Sequence, residues 1–428
     1  VSADRTVAIL GLGYVGLPLA LAFAASGRRV IAYDIDAGRV ADLANGVDRN
    51  DPEGRPVAAP DGLDFSADPL ALTGADVFIL AVPTPIDPGR RPDLGPLAYS
   101  ARTAGGAIRP GGLVIVESTV HPGATEEVVG PLVAEVSGLR MGTDFKLGYS
   151  PERINPGDAT HGLSDVVKVV SGEDDATLER VAALYADVVP AGLHRAPSIR
   201  VAEASKITEN VQRDVNIALM NELALVYDRL GIRTEDVLAA ARTKWNFAPY
   251  TPGLVGGHCI GVDPYYLIAK AEAHGYYPEL IRSARRLNDT MAERVTQKTV
   301  TLLSEGGVAV AGARIGVMGV AFKENVSDAR NSQVPAIVDG LARLGAEVLV
   351  ADPLVDPATA GHALGLDLVD GASLTGLHAL ILAAPHAVFL EDGAAGLGAR
   401  LRPGGLLVDV KSVLAPADVP ADRRYWSI

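Results

Sequence analysis

Apolar residues recur along this chain in two rhythms. Short unbroken apolar runs end in glycine or polar residues, and longer stretches carry apolar residues at helical spacing. Residues 5–10 read as a buried parallel strand. An apolar helix over 17–26 follows, with Gly27 placed to end it, and residues 29–33 form the next strand. Residues 75–82 and 113–116 repeat the strand pattern, with a helix over 97–108 and a turn at 109–112 between them. Such alternation predicts a parallel sheet covered by helices.

From Arg200 to Leu230 there is no glycine or proline, and apolar residues recur at Ile207, Val211, Val215, Leu219, Leu223 and Val226. One helix of that length would extend about 46 Å. It is expected to cross between domains and to offer an apolar stripe to a second subunit. Glu203, Lys206 and Asn210 share one of its faces, which is expected to line a cleft. A second helical stretch runs from about 278 to 305 and breaks at Gly306-Gly307. The strand pattern then returns. Residues 314–320 match 5–11, 346–352 match 28–34, 378–385 match 75–83, and 402–412 match 109–119. Four matches in one order predict a second Rossmann-like sheet. The expected fold class is α/β: two Rossmann-like doubly wound domains joined by a helical middle with a long central helix. The expected domains are 1–198, 199–305 and 306–428.

Composition narrows the function. A single cysteine in 428 residues excludes an internal disulfide framework and fits a reducing compartment, so a cytoplasmic location is expected. No run of about 18 apolar residues is present, and the chain enters a strand almost at once, so neither a membrane span nor a secretory signal is expected. The net charge of −14 disfavours nucleic acid as a partner. No metal site is expected.

Two stretches carry candidate chemistry. Gly11-Leu12-Gly13-Tyr14-Val15-Gly16 lies between a strand and a helix, and the following strand ends at Asp34. Glycines there permit a tight turn and let backbone N–H groups reach a pyrophosphate at the helix N-terminus. Asp34 would accept hydrogen bonds from a ribose and repel a 2′-phosphate, which favours NAD over NADP. Thr84 and Thr119 follow strands at the edge where open α/β sheets bind ligands. The second stretch is Gly256-Gly257-His258-Cys259-Ile260-Gly261-Val262-Asp263-Pro264, where a thiol on a glycine-rich loop with a nearby carboxylate is a candidate nucleophile. Pro264 is expected to turn the chain away from a helix. In the second Rossmann-like half the first turn lacks the glycine fingerprint and carries Lys323 and Arg330, a point charge and a fork for a phosphate-bearing ligand.

Taken in order, GLGYVGLPLA, VPTP, ESTV, SPER, EASKITEN, GGHCIGVDPYYL and FKENVSDARNS resemble the nucleotide-sugar 6-dehydrogenases, the UDP-glucose and GDP-mannose dehydrogenases, over essentially the whole chain. The resemblance implies a homodimer through the long helix. It also implies oxidation of a sugar C6 hydroxymethyl to a carboxylate with two NAD in succession. Cys259 would be the nucleophile, Lys206 and Asn210 would flank the reacting oxygen, and Asp263 would orient a water or move a proton. Glu152 would assist thioester hydrolysis and Thr119 would order water. Cofactor contacts would come from Gly11, Gly13, Tyr14, Val15, Gly16, Asp34, Arg39, Pro83, Thr84, Thr119, Glu152 and Arg330. Substrate contacts would come from Tyr149, Glu152, Arg153, Lys206, Asn210, Tyr250, Gly253, Gly256, Phe322 and Lys323. Val262 stands where the UDP-glucose subgroup commonly has lysine, and GGHCIGVDPYYL resembles the bacterial N-acetylhexosamine type. The expected substrate is a UDP- or dTDP-activated glucose or N-acetylhexosamine. A non-catalytic NAD-binding regulator that kept the fold is the alternative.

Overall fold

The computed structural model describes residues 6–51, 54–153 and 162–428. The chain forms two compact units, one of Val1–Glu209 with Tyr265–Tyr277, the other of Asn210–Pro264 with Pro278–Ile428. The segment 199–305, expected as a middle domain, is thus shared between the two.

The first unit is built on an eight-stranded sheet. Its strands are β1 (Thr6–Leu10), β2 (Arg29–Tyr33), β3 (Leu63–Ser66), β4 (Val77–Leu80), β5 (Gly112–Val116), β6 (Phe145–Tyr149), β7 (Lys168–Gly172) and β8 (Leu193–Arg195), in the order β3-β2-β1-β4-β5-β6-β7-β8. All pairings are parallel except β6 with β7. Alternate residues feed opposite faces. Ala8, Leu10, Phe78 and Leu80 join one core cluster, and Val7, Ile9, Val77 and Ile79 the other. Two covered faces are why the strands read as unbroken apolar runs. Strand order reverses between β1 and β4, so a crevice opens at the carboxyl ends of these strands.

The second unit repeats the plan with β9 (Arg314–Met318), β10 (Glu347–Ala351), β11 (Leu377–Leu382), β12 (Leu401–Asp409) and β13 (Arg424–Ser427), ordered β10-β9-β11-β12-β13. Every pairing is parallel. The repeat read from sequence is therefore a repeat of topology.

Three expectations change. The stretch 278–305 is two helices, Glu279–Asp289 and Met291–Glu305. Thr290 between them turns its hydroxyl back to the Leu287 carbonyl at 2.9 Å, a bond that competes with the helical ladder. Pro264 does not divert the chain from a helix. It sits in the first turn of Asp263–Ala273, where a missing N–H costs nothing. The long helix spans Ile199–Leu230 as expected, but its apolar stripe is buried only in part, fully at Ile207. Leu219 and Val226 are exposed, whereas Asn210, Asp214 and Asn221 are buried.

Candidate active site

In the first unit the glycine turn closes β1 onto the helix Gly16–Ala25. Gly11 has φ +95°, and a Cβ there would stand 2.8 Å from the Ala81 carbonyl oxygen. A Cβ on Gly16 would run into the carbonyl of Gly11. Gly13 differs, because a Cβ there would meet nothing within 4 Å. Nothing in the chain requires glycine at that position, which is what a backbone kept bare for a pyrophosphate looks like. Tyr14 and Val15 form the half-buried bend before the helix, whose N-terminus has no side-chain cap. Pro18 has no N–H and the Leu17 and Leu19 N–H groups donate to the Gly13 and Val15 carbonyls at 3.3 Å, which leaves the Gly16 N–H at the helix start for an anion. Asp34 accepts hydrogen bonds from the backbone N–H groups of Leu12 at 2.7 Å and Asp36 at 2.9 Å. A carboxylate has about four acceptor sites, so Asp34 holds the turn and keeps capacity for ribose hydroxyls. The residues present fit NAD.

Arg39, expected as a cofactor contact, lies against the glycine turn. It is buried, donates from Nε and Nη2 to the Leu12 carbonyl at 3.1 and 3.0 Å, and pairs with Asp48 at 2.6 Å. Three of its five N–H donors thus fix the glycine turn and pair with Asp48. At the neighbouring strand ends, Pro83 is exposed, the Thr84 hydroxyl donates to the Thr119 carbonyl at 2.7 Å, and Ser118 donates to Val82 at 2.6 Å. The two threonines singled out from sequence are thus brought together.

Tyr149, expected as a substrate contact, is the last residue of β6 and is 0% exposed, with its ring in a core cluster. Glu152 lies 3.8 Å from the Lys168 ammonium, which is buried and paired with Glu117 at 2.8 Å. Tyr185 donates to the same Glu117 at 2.5 Å. This network anchors the SPER segment and was not singled out from sequence, although a lysine inside an apolar strand was its visible sign. The Arg153 guanidinium bonds Glu209 at 2.7 Å and the Val167 carbonyl at 2.8 Å. Residues 154–158 of the loop expected there lie outside the described residues.

On the long helix, Glu203 takes the N–H groups of Gly123 at 2.5 Å and Thr125 at 2.9 Å. Burial raises its carboxyl to about 7 even though both amides favour the ionised form. Lys206 is 8% exposed, and its ammonium has no hydrogen-bond or ion-pair partner among the described residues. The stem is thus largely buried while the ammonium keeps access to solvent, which places it to receive a negative or accepting group from a ligand.

In the second unit Cys259 is half-buried on a turn over 257–262. Its carbonyl accepts the N–H of Asp263 at 2.8 Å, so the thiol residue sits directly before the helix that Asp263 opens. Asn210 donates to the Asp263 carboxylate at 2.5 Å, and both are buried. His258, next to the thiol, is held near 4 by burial and then by the Arg330 charge, so it is neutral at neutral pH. Gly257 has φ +80°, and a Cβ there would stand 2.8 Å from the Phe322 ring, so side chains are excluded twice over.

The loop is tethered by polar side chains that sequence reasoning missed. Asn221 both accepts from the Gly253 N–H at 2.8 Å and donates to the Gly253 carbonyl at 3.1 Å. Gln333 donates to the Val255 carbonyl at 2.7 Å, Asn331 to Gly257 at 3.2 Å, and Arg285 to Ile260 at 3.3 Å. Arg285 is paired with buried Asp214 at 2.5 Å, and Asn288 donates to the same carboxylate at 2.8 Å. Asp214 and Asn221 are seven residues apart on the long helix, so a polar stripe at helical spacing was the available signal.

Beside this loop lies a cavity whose walls include Gly256, Phe322, Lys323, Ser332, Gln333 and Lys411. Gly256, Phe322 and Lys323 were expected there; Lys411 was not. Gly253 leaves room for it, since a Cβ at 253 would stand 3.1 Å from Lys411 Cδ. Two lysines and one glutamate, Glu324, line the cavity, a net positive wall that suits a diphosphate. Tyr250 instead pairs its hydroxyl with the Gln212 amide at 2.8 and 3.0 Å. The Arg330 fork is held by Asp328 at 2.9 and 2.7 Å, and its carbonyl accepts from Gly257 at 3.3 Å.

Comparison with known proteins agrees with this geometry. Sequence models of the UDP-glucose/GDP-mannose dehydrogenase family match along the chain: its NAD binding domain at residues 5–189, its central domain at 200–290 and its UDP binding domain at 316–416. The chain is 47% identical to the UDP-N-acetyl-D-glucosamine 6-dehydrogenase of Pseudomonas aeruginosa, over 96% of this chain and 97% of that one. It is 44% identical to Protein CapL of Staphylococcus aureus, over 99% and 100% of the two chains. A solved UDP-D-ManNAc dehydrogenase from Pyrococcus horikoshii superposes with a TM-score of 0.89 at 31% identity, covering 99% of both. A fold repeated in both halves, a glycine turn shaped for a dinucleotide and relatives matched end to end lead to one conclusion: the chain belongs to the UDP-glucose/GDP-mannose dehydrogenase family and is an NAD-dependent oxidoreductase.

Proposed function

We propose that the chain oxidises the C6 hydroxymethyl of a UDP-N-acetylhexosamine, first of all UDP-N-acetylglucosamine, to the uronic acid through a covalent bond to Cys259. The observation that carries this reading is the grouping of the chain's one thiol, the Asp263 helix start and the Asn210–Asp263 bond, beside a cavity with two lysines. The names of the relatives support the sugar class, and Val262 supports the same subgroup. They also speak for an enzyme over a non-catalytic regulator.

NAD, when bound, would supply the hydride acceptor for both oxidations. Gly11, Gly13 and Gly16 would hold its pyrophosphate and Asp34 its ribose. The chain's residues supply the rest. Loss of hydride and a proton turns the C6 alcohol into an aldehyde. The Cys259 sulfur adds to that carbon and gives a thiohemiacetal, which can lose a second hydride and a proton to become a thioester. Water then attacks the carbonyl carbon, the C–S bond breaks, and the carboxylate and the thiol are released. Lys206 and the second N–H of Asn210 donate to the oxygen as negative charge develops on it. Asp263 holds Asn210 and takes or orients a proton, Glu152 assists attack by water, and Thr119 orders that water. Lys323 and Lys411 neutralise the diphosphate. A homodimer in the cytoplasm belongs to the same proposal, supported by Leu219, Val226 and Leu230, which leave apolar surface exposed on the long helix.

A panel of UDP-N-acetylglucosamine, UDP-N-acetylmannosamine, UDP-glucose, dTDP-glucose and GDP-mannose, followed by absorbance of NADH, tests the substrate. The highest kcat/KM is expected with a UDP-N-acetylhexosamine. Activity confined to UDP-glucose, dTDP-glucose or GDP-mannose would overturn the assignment.

A further inference from the structure

The second sheet begins like the first, yet its opening turn is held by different chemistry. Asp352 follows β10 as Asp34 follows β2. Asp34 is part-exposed, but Asp352 is buried. Its Oδ2 accepts the N–H groups of Val320 at 2.7 Å and Ala321 at 3.2 Å and lies 3.1 Å from Nε2 of His386, with both side chains fully buried. His386 comes from the loop after β11. Its other nitrogen, Nδ1, stands 2.8 Å from the backbone N–H of Asn325. An amide N–H can only donate, so Nδ1 must accept, and the ring proton belongs on Nε2, where it is donated to Asp352. The two partners thus impose one tautomer. Asn325 is left-handed at φ +59°, and its Oδ1 accepts the N–H of Ala387 at 2.8 Å. The turn that carries Phe322 and Lys323 is therefore stitched twice to the residues 386–387.

We propose that His386, backed by Asp352, is a positioning residue for substrate binding: it locks the Lys323 turn and so sets the affinity for the diphosphate end, without touching the ligand. This rests on the reading of the cavity as the nucleotide site. Asp352 is then not a second ribose acceptor, because its carboxylate is committed to the turn and to His386.

Three variants separate this role from simple packing. His386→Gln keeps a donor near Nε2 and removes the acceptor near Nδ1. His386→Asn does the reverse. Ala387→Pro removes the second stitch at the first position of the helix Ala387–Leu390, where proline is tolerated. The readouts are KM and kcat with UDP-N-acetylglucosamine, the Kd of UDP by calorimetry, and hydrogen exchange of peptides covering 320–328. His386→Gln should raise KM and the Kd of UDP about tenfold, the scale of one hydrogen bond to a buried group, with kcat within about twofold. Exchange over 320–328 should rise with it. His386→Asn should stay within about threefold of wild type, and Ala387→Pro should fall between the two. Wild-type exchange in His386→Gln, or a fall in kcat at constant KM, overturns the proposal. Should the wild-type protein not bind UDP, the nucleotide reading of the cavity fails. The exchange contrast between His386→Gln and His386→Asn still decides whether His386 locks the turn.

Discussion

Asn221→Leu should detach the cysteine loop while leaving the first unit intact. Asn221 is fully buried and serves three groups, namely the Gly253 N–H, the Gly253 carbonyl and Oδ1 of Asn288. Leucine fills a similar volume and satisfies none of them. Each buried group left without a partner costs about 1–3 kcal/mol. Burying the new methyls returns about 1–2 kcal/mol. The net loss is then about 1–8 kcal/mol for the second unit, and at an m-value near 3 kcal/mol/M this lowers the urea midpoint by at least about 0.3 M. Tryptophan fluorescence reads the right unit, because Trp245 and Trp426 both belong to it. Uronate formation should fall at least about tenfold, on the scale of one lost hydrogen bond near the site, while NAD binding stays unchanged. A midpoint within about 0.3 M of wild type, on the same linear relation, would mean that the tether contributes little and the reasoning fails.

Other outcomes follow from the first unit. Lys206→Ala should lower kcat about 10²–10³-fold with a smaller change in KM, because a donor to developing charge acts on the transition state; a change confined to KM would make Lys206 a binding residue. Wild type should prefer NAD to NADP. Asp34→Ala should narrow that preference and also weaken NAD, since Asp34 holds Leu12; equal kcat/KM for both cofactors in wild type refutes the role. Glu203 is raised to about 7 from 4.5, so the folded state keeps a proton that the unfolded state gives up between those values. Its stabilising effect is therefore complete below about 4.5 and is lost as pH rises towards about 7, on the order of 2–3 kcal/mol. Thermal unfolding of Glu203→Gln at pH 5 and pH 7.5 should lack that decline, and an identical pH trend in the two proteins counts against it.

Much of this was legible in the chain. Unbroken apolar strands, the glycine turn and the ordered repeat gave both sheets, because buried parallel strands leave few other ways to arrange such runs. Cys259, Asn210 and Asp263 stood out as residue types that do chemistry, and Asn210 and Asp263 are bonded. Other roles could not be read from residue type. That Arg39 bonds Leu12 and Asp48 is visible only in the fold. That the Tyr149 ring lies in the core is likewise visible only in the fold. Asn221, Gln333 and Asp352 act through bonds to backbone groups distant in sequence, and no local pattern announces such partners. The long helix was legible in length but not in face: its apolar residues stand partly exposed while its polar stripe is buried.

The account stands on a covalent step at Cys259, and stoichiometry tests it most directly. NADH released per UDP-N-acetylglucosamine consumed should be two, with the uronic acid as product. Denaturing acid quench during turnover should trap the sugar on the peptide containing Cys259. Cys259→Ala should form no uronate. A ratio of one with free aldehyde, or wild-type uronate formation by Cys259→Ala, would contradict the central claim.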